Sequence, residues 1–251
     1  MNVINSLEKI SNKLEEIGFD KEPGSILYSG NETLSKGNFY FLGLNPGGNT
    51  NLSVSEDTVI NQLKKKDSTF NEYFQGVWKE RGKQPTPPGQ SILQQRIKIL
   101  FSRLRVDLRK TCSSNLVFVR SPVLSELHLD WEEAAEKCWE IHKIMLSTVQ
   151  PKILLVFGDE ARDFIQKKMV VIDREFFELE SQNKDYIFGC IKGSIPIDDL
   201  TSLEQVSLIS TPHLRRFKID AKGWETNSAY DTRPAIEWMD EKIQESLGLF
   251  V

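Results

Sequence analysis

The chain has 251 residues, 39% hydrophobic and 27% charged, with a formal net charge of −4, a composition that fits an ordinary globular protein and excludes the low-complexity and disordered classes. No apolar run approaches the roughly 18 residues that a membrane span needs. Cys112, Cys138 and Cys190 are odd in number, widely spaced and without a C-x-x-C pair, which argues against a zinc or four-cysteine iron–sulfur site and for reduced thiols in a cytoplasmic protein.

In chain order, the first 19 residues are amphipathic and carry acids, so they read as a first helix rather than a signal peptide. Apolar, strand-like runs follow at 39–44, 116–120, 153–157 and 207–210. Each is continuous rather than alternating, as in strands buried on both faces. Helical spacing marks 90–110, 131–149 (after Asp130, a plausible N-cap, and before Pro151), 159–169 and 234–247. Strands alternating with helices predict an α/β fold, a three-layer α/β/α sandwich around a central four-stranded, mainly parallel sheet. One domain is expected over 1–251, with insertions at about 50–89 and 170–202. The first insertion holds Phe70, Tyr73, Phe74 and Trp78 and suits a lid or binding loop; the second is consistent with an added hairpin.

Charge is unevenly spread. Residues 64–120 hold 13 Lys/Arg against 4 Asp/Glu, and residues 121–208 hold 9 against 17. A basic face for phosphates can thus coexist with an acidic whole, although two solvated helix faces would give the same pattern.

Two loops leave strand ends, where ligands gather in parallel sheets. The first is Gly43-Leu44-Asn45-Pro46-Gly47-Gly48. It has neither the G-x-G-x-x-G spacing nor a Gly-Lys-Ser/Thr, so it is not a dinucleotide or P-loop motif. Its glycines allow close backbone approach, and Pro46 fixes the turn after Asn45. The second is Ser210-Thr211-Pro212-His213-Leu214-Arg215-Arg216-Phe217. His213 is suited to stabilising developing negative charge, or it is a surface-loop histidine bonded to backbone. His128, in a connecting loop, and His142, mid-helix, are assigned to that second, structural role.

The first loop resembles the opening motif of the uracil-DNA glycosylase superfamily, nearest the G-I-N-P-G form of its mismatch-specific branch. The second resembles that family's His-Pro…Leu-Leu-Arg motif in either of two registers. Aligned on Leu214-Arg215-Arg216, Ser210 takes the histidine's place; aligned on chemistry, His213 does. Residues 113–122 resemble the family's internal strand, and 151–161 resemble its Pro-Lys-(apolar)-Gly-x-x-Ala segment. Together these cover roughly 36–218.

The resemblance implies a monofunctional DNA N-glycosylase acting on a flipped uracil or modified pyrimidine, in repair or in defence against phage with modified bases. Asn45 would orient the attacking water, and Gly43, Leu44, Pro46 and Gly47 would contact the base. Asn115 would read the base edge, or else caps a strand. His213 would stabilise the leaving base, with Ser210 beside it. Leu214 or Arg215 would wedge into the vacated stack, while Arg215, Arg216 and Lys218 would meet phosphates. The implied partner is DNA, single- or double-stranded, met by a monomer with no cofactor, no metal and no membrane. The better-known branch carries Asp where this chain has Asn45, which leaves two rivals: a non-catalytic nucleic-acid reader and a nucleoside or nucleotide enzyme.

Overall fold

Aromatic and branched residues build the centre of the molecule. The computed structural model describes residues 3–47, 58–65, 68–79, 84–180, 185–217, 219 and 231–249. Six strands, β1 (Phe39–Gly43), β2 (Cys112–Asn115), β3 (Ile153–Phe157), β4 (Val170–Leu179), β5 (Tyr186–Pro196) and β6 (Ser202–Thr211), form one sheet. Their order is β2-β1-β3-β6-β5-β4. The first four are parallel, while β5 runs antiparallel to both β6 and β4.

The four-stranded sheet expected from sequence is therefore enlarged to a six-stranded mixed one. The hairpin read in 170–202 is not an appendage. Its β5 pairs with β6 from Gly189 to Pro196, and β4 closes the edge.

Pleating sends alternate residues to opposite layers. Tyr40, Leu42, Leu154, Val156 and Leu208 share one core cluster with α1 (Val3–Glu16), α5 (Trp131–Val149) and α6 (Asp159–Lys167). Phe41, Ile153, Leu155, Phe157 and Ile209 join the other, with α4 (Ile92–Arg103) and α7 (Arg233–Leu247). Two short helices, α2 (Val59–Lys65) and α3 (Glu72–Gln75), lie in the first insertion.

Helix ends follow local chemistry. Ser91 and Gln94 form a reciprocal capping box at the start of α4. That helix stops well short of the expected 110 because Arg105 turns left-handed at φ 55°. Asp130 accepts from the Glu133 N–H at 2.9 Å, capping α5 as expected.

The second strand is displaced from 116–120 to Cys112–Asn115. Leu116, Val117, Phe118 and Val119 are fully buried, so apolarity marks the core there but not the ladder. Their backbone serves the first loop instead: the Leu116 N–H donates to Gly43 O (2.9 Å) and the Val117 N–H to Leu44 O (2.8 Å). The true strand is polar yet buried, with Ser114 Oγ donating to Ile26 O at 2.7 Å.

Candidate functional site

Strand order reverses between β1 and β3, since β1 leads across to β2 on one side and β3 leads away on the other. At such a switch point the carboxyl ends of the strands part and leave a crevice. Gly43, Phe157 and the β6 loop meet there. A Cβ on Gly43 would come within 2.6 Å of Phe157 Cζ and closer still to Asn115 Oδ1, so only glycine fits the last position of β1. Phe157 in turn meets the His213 ring edge-on, at 5.4 Å between centroids.

Asn45 is half-buried just beyond β1. Its Nδ2 donates to Ser121 Oγ at 2.9 Å, and that hydroxyl donates onward to Val123 O at 2.9 Å. The Ser121 N–H is itself held by Pro46 O at 3.0 Å. With its amino group so engaged, Asn45 keeps Oδ1 as an acceptor without a hydrogen bond among the described residues. An amide oxygen at neutral pH can orient water but cannot take its proton. Pro46 is buried and Gly47 exposed.

Asn115 ends β2, paired in register with Gly43. It is only 5% exposed, and its side chain makes no hydrogen bond among the described residues. A donor and an acceptor are thus both available at the crevice. Its place at the exit of a strand, rather than at an entry, removes the strand-entry capping role.

His213 Nδ1 accepts from the Arg215 N–H at 3.2 Å. In the neutral ring the proton then sits on Nε2, which becomes a donor. Burial lowers the His213 pKa, and the charges of Arg215 and Arg216 lower it further, so the ring is neutral at pH 7. Asp159 and Glu160, in the first turn of α6, pull weakly the other way. The loop is clamped from beneath, because Arg96 Nη1 of α4 donates to Leu214 O (2.8 Å) and Arg215 O (2.9 Å).

The sheet pleat separates the two residues that compete for the histidine's place. Ser210 alternates with Ile209, so it lies on the α5–α6 face, opposite Phe157 and Gly43. It is 1% exposed, and a Cβ on Gly189 would come within 2.9 Å of its Oγ. Ser210 therefore does not join the group that gathers around Phe157, whereas His213 does.

Leu214 requires a correction. It is fully buried in the core that Phe157 and Phe217 share, so its side chain packs the loop inward and is not a wedge. Arg215 and Arg216 are exposed beside it. Lys218 lies outside the described residues.

The other two histidines stand apart from the crevice in different ways. His128 pairs with Glu22 at 3.0 Å on the surface. His142 is wholly buried rather than a surface group. Its Nδ1 accepts from Tyr40 Oη (2.8 Å), its Nε2 reaches Leu116 O (3.1 Å), and burial pushes its pKa down to about 4. It pins the residue that follows Asn115.

Sequence reasoning missed Ser121, Phe157 and Arg96. Ser121 follows Arg120 at the end of a buried run, but its bond to Asn45 spans 76 positions. Phe157 read as one more core residue, and Arg96 as one more charge on a basic helix. Among the described residues no group of three or more His, Cys, Asp or Glu gathers as metal ligands, and no helix is long and apolar enough to cross a membrane. In comparison with known proteins, no family model matches the chain and no curated protein matches it.

Proposed function

We propose that this chain is a monofunctional DNA N-glycosylase of the uracil-DNA glycosylase type, which hydrolyses the glycosidic bond of a flipped uracil or modified pyrimidine. The observation that carries the reading is the gathering of three unspent polar groups at one switch point. Asn45 Oδ1, the Asn115 amide and His213 Nε2 come from three different strand ends around Gly43 and Phe157.

In this mechanism Asn115 offers its donor and acceptor to one edge of the base. The C1′–N bond breaks with its electron pair passing to the base, and the neutral His213 donates a hydrogen bond to the charge that develops there. Asn45 Oδ1 accepts a hydrogen from the incoming water and aims its lone pair at the cationic sugar carbon. The new C1′–O bond forms, and the water's spare proton leaves to solvent. Arg215 and Arg216, exposed on a loop held by Arg96, suit the flanking phosphates. No side chain in this scheme calls for a metal or cofactor.

One observation favours a second reading. Position 45 holds an amide and not a carboxylate, so the crevice can bind a base without a strong group to activate water. A nucleic-acid reader of the same fold would look alike. The test is base release from single- and double-stranded oligonucleotides carrying uracil, mismatched thymine, deaminated purines, and hydroxymethylated or glucosylated cytosine. Release that leaves an alkali-labile site supports the glycosylase. Tight binding with no release over long incubation decides for the reader.

A further inference from the structure

The edge strand β4 is the least finished surface of the molecule. Among the described residues it pairs only with β5, so one whole row of its backbone N–H and C=O groups faces outward. Its two faces differ. Phe177 stacks on Trp238 of α7 at 5.8 Å, and Glu175 reaches Lys242 at 2.9 Å, so one face is covered. The opposite face, which bears Arg174, Phe176 and Glu178 beyond the bulge, is exposed. Phe176 is 51% and Ile172 79% accessible. Arg174 and Glu178 make no ion pair among the described residues. Beside them Phe176, Glu178, Ile187 and Arg162 of α6 line a shallow trough.

Edge strands usually carry charge to prevent pairing, but here the charges are ordered. We propose that β4 is the interface between two copies of this chain, paired antiparallel about a twofold axis at Phe176, so that the two sheets become one. This would replace the monomer expected from sequence.

The register follows from the side chains. A twofold axis perpendicular to the sheet keeps each face on its own side, so only same-face residues can oppose each other. Centred on Phe176, Arg174 of each copy faces Glu178 of the other, and the two Phe176 rings meet between those ion pairs. Centred on Arg174, arginine opposes arginine and Asp173 opposes Glu175. Centred on Glu175, glutamate opposes glutamate. Centred on Phe177, the exposed ring of Phe176 opposes Glu178. Only the Phe176 register both opposes Arg174 to Glu178 and brings the two exposed Phe176 rings together, and like charges oppose each other in two of its neighbours. The bulge between Val171 and Asp173 ends the straight part of the strand just outside this register.

The test is the mass of the full chain in solution, by light scattering and sedimentation over a wide concentration range. The wild type is expected to dimerise as concentration rises. Arg174→Glu and Glu178→Arg should each weaken the dimer by about tenfold or more, because two symmetry-related pairs turn repulsive together. The double variant R174E/E178R should restore it, which a general surface effect would not do. Oxidation of Phe176→Cys should give a covalent dimer, while Glu178→Cys, placed opposite Arg174, should not. A wild type that stays monomeric at every concentration would overturn the proposal. So would a dimer indifferent to the single reversals, or one that the double variant fails to restore.

Discussion

The parallel half of the sheet and its antiparallel half are built for different neighbours. Strands β2, β1 and β3, and β6 from Val206 onward, are buried on both faces and bring their carboxyl ends to one crevice. There, Asn45, Asn115 and His213 keep polar atoms unspent. Strands β4 and β5 add a half whose one side α7 covers, and among the described residues no strand pairs with its outer edge. Among the described residues, polar groups without a partner thus stand at the crevice, along the unpaired edge and at the buried Ser210 Oγ.

The largest expected effect on this contrast comes from the loop that belongs to both core and crevice. Leu214→Ala should lower stability by about 2–5 kcal/mol in chemical denaturation, as for other buried leucines. Arg215→Ala, one residue on and exposed, should change stability by less than about 0.5 kcal/mol. Equal effects would mean that Leu214 is not the anchor of the loop. Next comes His213→Ala, which removes one preorganised donor and should slow base release by about 100–1,000-fold with the fold intact. The pH profile should sharpen that result. Activity should hold at neutral pH and fall in acid, where His213 gains a proton and its Nδ1 can no longer accept from the Arg215 N–H.

His142 sets a comparable but separate limit. Its folded pKa of about 4 lies below the ordinary histidine value, so the unfolded chain binds the proton more readily. The stability it contributes is complete above about pH 6.5 and is lost as pH falls toward 4, about 3 kcal/mol in all. His142→Gln should flatten that part of the stability–pH curve. The effect proposed for the edge leaves stability alone: each cross-strand pair at Arg174 would contribute no more than about 1 kcal/mol and be visible only in the association equilibrium.

Much of this was legible from the chain alone, for definite reasons. The 153–157 run and the 131–149 helix stand where expected because length, capping and burial all agree there. The second strand was misplaced because its residues, Cys-Ser-Ser-Asn, are polar and are satisfied by backbone far away in sequence. The hairpin was visible in the runs 174–180 and 186–188, but its union with β6 was not, since pairing register is a long-range property. At the site, Asn45 and His213 were marked by their turns. Ser121 and Arg96 were hidden because each acts through a hydrogen bond to a distant segment. The choice between Ser210 and His213 turned on pleat parity, which needs the strand's true end at Thr211.

The most direct measurement of the central claim is single-turnover base release by the wild type and by Asn45→Ala, on the substrate that the oligonucleotide panel selects. Release by the wild type and loss of turnover in the variant are expected, with DNA binding and melting temperature unchanged. Equal release by the two proteins would remove Asn45 from the mechanism, and no release by either would leave a crevice that reads nucleic acid without cutting it.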